Sequence, residues 1–264
     1  MQSSWLYQLS SLTITSSVTL LMVAFYIWGY RLKMKKIRKH PEYSDEGFGA
    51  IQGSLLGLLA LLLSFTFSMS SSRHDNRYEV MVAEANNIGT AILRADLFPD
   101  STRSQFRAGF SDYVAARIGQ YQAGIDPQKN AVAMGKTNAV AARLWAIAAK
   151  ATQSPDVVIR NSGSLMVNAL NPMIDSITTR KASRETNIPD SILLLLFSLC
   201  LASGFIVGYG SRKTIDWIMV AGFAVMIGVT IFSILDLDRP HRGLITLDRA
   251  EQNILGLQDQ LKEE

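Results

Sequence analysis

Charge is missing from four long stretches of this 264-residue sequence. The runs Leu12 to Tyr30, Ala50 to Ser71, Ser191 to Gly210 and Trp217 to Leu235 contain no Asp, Glu, Lys, Arg or His. Each holds about 20 residues, and at roughly 1.5 Å per helical residue that length matches a bilayer core about 30 Å thick. One such run is compatible with a buried soluble helix. Four in a chain that is 48% apolar mark a membrane protein.

Cysteine and histidine are nearly absent. Cys200 is the only cysteine and lies inside the third run, so no disulfide forms within the chain and redox chemistry leaves the compartment open. His40, His74 and His241 are far apart and make no metal-ligand spacing. No G-x-S-x-G elbow occurs, and "GYGSRKT" (Gly208 to Thr214) lacks the spacing of a phosphate loop. Glu84 and Asp96 lie twelve residues apart and read as a salt-bridged surface, not as a catalytic pair. The expectation is therefore no catalytic residue, no metal, no cofactor and no enzyme. Ion-coupled pumps keep ionisable groups within their spans, and these spans have none. A passive pore needs none, because a hydrophobic constriction gates by wetting and dewetting.

Positive charge is unevenly placed. The net charge of +4 mostly reflects the cluster "RLKMKKIRKH" (Arg31 to His40), which follows the first run. A cleaved signal peptide has the opposite order, with basic residues before its apolar region. Beside a span, such a cluster reads as topology and lipid contact, not as nucleic-acid binding. Counting short segments, the 31–39 stretch with Arg212 and Lys213 carries eight basic residues, against four after Leu235. The positive-inside rule then predicts a cytoplasmic 31–49 loop. The amino terminus and the large domain fall on the periplasmic or extracellular side of a bacterial inner membrane.

Between the second and third runs, Pro99, Pro127, Pro155, Pro172 and Pro189 punctuate a segment whose apolar residues recur at helical spacing. One face carries Tyr78, Met81, Val82, Ala85, Ile88 and Ile92. The next carries Phe106, Phe110, Tyr113, Val114 and Tyr121. Ala133, Val140, Leu144, Ala148 and Ala151 form a third, and Val158, Leu165, Ala169, Met173 and Ile177 a fourth. Pro172 is expected to kink its helix without ending it. A helical bundle buries these stripes against one another. No Gly or Pro interrupts the chain between Gly57 and Gly89, so the second span is predicted to continue into the bundle as one rod. Beyond the last run, Asp248 with Glu251 fits a capping box, followed by a stripe of Ile254, Leu257 and Leu261.

The second span has two readable faces. Gly53, Gly57, Ala60, Ser64 and Ser68 form a small-residue stripe suited to close helix packing. Leu61, Phe65 and Met69, at i, i+4 and i+8, form a bulky stripe that would make a hydrophobic neck if several copies surrounded an axis. Against this stands the simpler reading that these side chains face lipid or other helices. Arg73 and Arg77, with His74, follow the span. Repeated around a ring they would form a positive collar that gathers anions, and in a single subunit they would snorkel to head groups.

"GSLLGLLALLLSF", "RHDNRYEVMVAEANNIGTAILRADLFPD" and "DLDRPHRGLITLD" together resemble the bestrophin-like family of bacterial membrane proteins. The most specific pieces are Glu84 and Asn86 within "EANNIG", and Asp238, Arg239, Pro240 and Gly243 in the tail. The resemblance points onward to true bestrophins, pentameric anion channels with a hydrophobic neck on the second span. It implies a homo-oligomer in the lipid bilayer with chloride or another small anion as cargo. The sequence departs from the bestrophin pattern after the neck, where Arg77-Tyr78 is followed by Glu79 and then Glu84. True bestrophins also keep their helical domain in the cytoplasm, opposite to the side the charge count assigns.

The expected fold is all-α, with four transmembrane helices and a helical bundle inserted between the second and third. Its parts are a hairpin over 1–72, a helical domain over 73–190, a second hairpin over 191–235 and a tail over 236–264. An anion channel is the leading functional expectation. The alternative is a non-conducting sensor or scaffold whose helical domain binds a partner or ligand.

Overall fold

The computed structural model describes residues 9–40, 42, 47–124, 126–211, 214–239 and 248–261, leaving aside the side chains of 248–250. Among them every regular element is an α-helix. In chain order these are α1 (Ser11–Lys39), α2 (Phe48–Ala95), α3 (Asp100–Gln122), α4 (Pro127–Thr152), α5 (Val157–Glu185), α6 (Asp190–Gly210), α7 (Trp217–Leu237) and α8 (Asp248–Gln260). Four helices are long and apolar enough to cross a membrane, and they carry the four uncharged runs. The chain divides into two compact units, one of Met1–His74 with Asn187–Ile245 and one of Asp75–Thr186 with Thr246–Glu264. The helix α2 is unbroken over its 48 residues.

In the first unit α1 packs against α6 and α7. Its core gathers Ile14, Val18 and Met22 of α1 with Leu196, Cys200, Ile227, Ile231 and Ile234. Glycine decides how closely α1 and α6 approach. A Cβ on Gly204 would meet the Met22 carbonyl oxygen at 2.5 Å, and one on Gly208 would collide with the Tyr26 carbonyl. Gly29 on α1 is equally filled by the Phe205 carbonyl. Without a hydrophobic drive between helices in lipid, such backbone proximity is the main source of association. Polar ties reinforce it. Tyr26 and Ser211 hydroxyls lie 2.7 Å apart, and Lys33 Nζ donates to the Ser211 carbonyl at 3.0 Å, placing a cation at the carboxyl end of α6. Asp216 caps α7 by accepting from the amides of Ile218 and Met219.

The second unit is built from the wet half of α2 with α3, α4, α5 and α8. Its core contains Ile88, Ile92, Phe106, Phe110, Tyr113, Leu144, Met166, Leu170, Met173 and, from α8, Ile254 and Leu257. Asp126 and Asp156 cap α4 and α5 through their first amides. The helix α5 passes through Pro172 without ending. The exposed Pro172 carbonyl there takes hydrogen bonds from Asn87 Nδ2 (3.3 Å) and Ser176 Oγ (2.7 Å).

Some side chains differ from the helical-stripe expectation. Val158 and Leu165 are exposed, and the buried face of α5 runs instead through Met166, Ala169, Leu170, Met173 and Ile177. The phase shifts because Gly163 brings α5 against the end of α4, where a Cβ would meet Thr152 N at 2.7 Å. Tyr78 is exposed too, while Met81, Ala85, Ile88 and Ile92 on α2 are buried as expected. The capping side chain of Asp248, and Pro240, His241, Gly243, Arg212 and Lys213, lie outside the described residues.

Candidate functional site

The apolar half of α2 has one face against the first unit and one face open. Leu59, Thr66 and Ser70 are buried, and Ser70 Oγ donates to the Ile234 carbonyl at 2.7 Å. The opposite side carries Gly53, Gly57, Ala60, Leu61, Ser64, Phe65 and Ser68, all exposed, with Phe65 62% exposed. Nothing lies within 4 Å of where a Cβ on Gly53 or Gly57 would be. Of the residues in the apolar window of α2, 6% are buried, against 33% for α1 and for α7. Small and bulky stripes thus sit side by side on an open face. Met69 belongs only partly to it, since it packs on the core of the first unit.

The basic residues beyond the span have different surroundings. Arg73 is part-buried, donates from Nη2 to Met69 Sδ at 3.6 Å, and lies 4.0 Å from Asp238. Asp238 is buried and accepts from the Ile188 amide at 3.1 Å, just ahead of α6. Arg239 Nη1 donates to the Leu9 carbonyl. The Asp238-Arg239 pair therefore ties the end of α7 to two other chain segments. Arg77 is buried within the second unit, donating to the carbonyls of Ser183 (3.3 Å) and Thr186 (2.8 Å) at the end of α5. Its guanidinium is engaged with backbone and not presented to solvent.

Glu84 holds a charged cluster inside the second unit. The carboxylate is fully buried, accepting from Arg117 Nε on α3 and from Arg180 Nη1 on α5, the latter at 2.7 Å. Arg117 Nη1 donates to Gln120 Oε1. One anion thus faces two buried cations, and the part-buried Arg184 lies a turn beyond Arg180. Burial, then Arg180 and Arg117, push the Arg184 guanidinium below its ordinary pKa. Burial pushes the Tyr113 phenol well above its ordinary value. Asn86, next to this cluster in sequence, is exposed.

The spacing argument missed Arg117, Arg180 and Arg184, although a signal exists. Arg117 lies four residues after Tyr113 and three after Val114, and Arg180 lies three after Ile177, so both continue buried stripes. A charge on the apolar side of a helix calls for an opposite charge nearby, and Glu84 sits on the same kind of stripe between Met81 and Ile88.

An all-helical chain with four apolar spans and an open-faced second span defines the class. The bestrophin-like domain family matches residues 48–251, and the chain belongs to that family. Among curated proteins no sequence match is found. Solved structures share the fold at low identity. A single-substitution variant of a bacterial bestrophin homolog from Klebsiella pneumoniae is 15% identical with a TM-score of 0.65, covering 94% of this chain and 98% of its own. Another structure of a bacterial bestrophin homolog from that organism is 14% identical with a TM-score of 0.61, covering 92% and 97%. A third, described only as a membrane protein, is 14% identical with a TM-score of 0.61, covering 95% and 99%.

Proposed function

We propose that this protein is a homo-oligomeric ion channel, pentameric and anion-conducting, with α2 lining the pathway. The observation that carries the reading is the open face of the apolar half of α2. A span so little covered by its own chain needs either lipid or further copies of itself. Gly53, Gly57, Ala60 and Ser64 would let neighbouring copies approach closely, and closed rings are the common outcome of repeated contacts of this kind. Leu61 and Phe65 then project as rings of apolar side chains, with Met69 at the inner margin, and form a constriction that conducts when wetted. Arg73, one turn past Met69, supplies the positive charge near the pore mouth. Arg77 holds the end of α5 and is left out of that role. The lack of ionisable groups in the spans agrees with passive conduction, and bacterial bestrophin homologs among the fold neighbours agree with the membrane setting.

The test is Phe65→Ala in protein reconstituted into planar bilayers. Removing the widest ring of the constriction is expected to raise unitary conductance severalfold. Unchanged conductance and rectification would remove Phe65 from the pathway.

A further inference from the structure

Beneath the Glu84 cluster the second unit contains a cavity of about 430 Å³ between α3, α4 and α5. Arg117, Arg180, Lys181 and Arg184 line it, and Glu185 is the one acidic residue on its wall. Glu185 is engaged with Lys181 at 4.0 Å near the surface, and Glu84 behind the wall is shared between Arg117 and Arg180. The balance of charge on the cavity is positive. Burying excess positive charge is unfavourable unless something compensates it.

Arg117 is the sharpest sign of an unfilled role. It is 1% exposed, its Nε and Nη1 are spent on Glu84 and Gln120, and its Nη2 is buried without a hydrogen-bond partner. A buried guanidinium nitrogen left unmatched costs more than a neutral amide would, and an oxyanion acceptor is its natural complement. Arg184 stands on the same wall, held by the Gly124 carbonyl (3.0 Å) and Asn130 Oδ1 (3.4 Å). The remaining wall combines apolar Pro127, Ala131, Met134 and Ile177 with the amides of Gln120 and Asn130. That combination suits an anionic head on a carbon body, in a volume within the range of small-molecule pockets and far beyond what a halide fills.

We propose that the helical unit carries a binding site for a small oxyanion-bearing molecule, its carboxylate or phosphate held by Arg117, Arg180 and Arg184. The site lies wholly within the second unit and stands independently of the channel reading, because its test reads binding and not current.

The experiment is thermal unfolding and titration calorimetry of the full chain in detergent, at constant ionic strength, with succinate, inorganic phosphate and chloride as probes. Saturable stabilisation by succinate or phosphate, and none by chloride, is the expected result. Succinate alone assigns a carboxylate head, and phosphate alone a phosphate head. Arg184→Gln should weaken that binding at least tenfold, and Arg117→Lys, which keeps a cation for Glu84 but loses the fork, should do the same. Arg184→Gln decides the matter should Arg117→Lys fail to fold. Absence of saturable binding by either oxyanion, equal stabilisation by chloride, or undiminished binding in Arg184→Gln would overturn the proposal.

Discussion

Glu84 shows how a single residue sets the interior of the helical unit. Its carboxylate is the counter-charge for Arg117 and Arg180. Glu84→Gln keeps the shape and removes the charge, leaving two buried guanidinium groups opposed only by an amide. The expected cost is about 3–5 kcal/mol, read as a large drop in the thermal midpoint of the purified protein. A midpoint within a degree of the parent would mean that the cluster is solvated and not structural. Part of the family motif falls on the same terms, while Asn86 is exposed and Pro240 and Gly243 lie outside the described residues. Glu84 and Asn87 both reach α5, and Asp238 anchors the start of α6, so these residues shape the fold. Read from sequence, Glu84 belongs to a salt-bridged surface, and its full burial corrects that, although its place on an apolar stripe carries the signal. Which cations meet Glu84 was not legible, because they come from helices 33 and 96 residues away.

At the scale of the helix, two glycine pairs with the same spacing do different things. Gly53 and Gly57 on α2 look out from the protomer, whereas Gly204 and Gly208 on α6 receive the backbone of α1. Gly208→Leu is therefore expected to destroy the packing of the first unit, at about 4 kcal/mol or more, and to yield aggregated protein in detergent. Gly57→Leu should leave the protomer's thermal midpoint unchanged but shift the size distribution of the purified protein toward smaller species. The reverse pattern would mean that α2 packs inside the protomer. The boundaries of α6 and α7 were legible because they coincide closely with uncharged runs, whereas α2 continues to Ala95, well past the run that ends at Ser71. The role of each glycine was not legible, because spacing alone does not say whether a small-residue face meets its own chain or another. The phase of α5 was lost for a related reason. Gly163 turns the helix against α4, so Val158 and Leu165 face outward although they keep the spacing of the buried residues.

For the whole molecule, membership of the bestrophin-like family and the all-helical fold with four apolar helices agree with the pattern of uncharged runs. Orientation and assembly depend on the bilayer and on other copies. From the charge asymmetry we propose a periplasmic or extracellular helical domain. In a Cys200→Ser background, Ser111→Cys on the exposed side of α3 should react with an impermeant thiol reagent in intact spheroplasts, and reaction only after permeabilisation would reverse the orientation. The most direct test of the channel itself is single-channel recording of the purified protein in a planar bilayer with asymmetric chloride salt. The expected result is discrete openings that reverse near the chloride equilibrium potential. Silence across voltage, pH and calcium, from protein shown to be folded and inserted, would contradict a conducting α2 pathway and leave an anchored sensor or scaffold in its place.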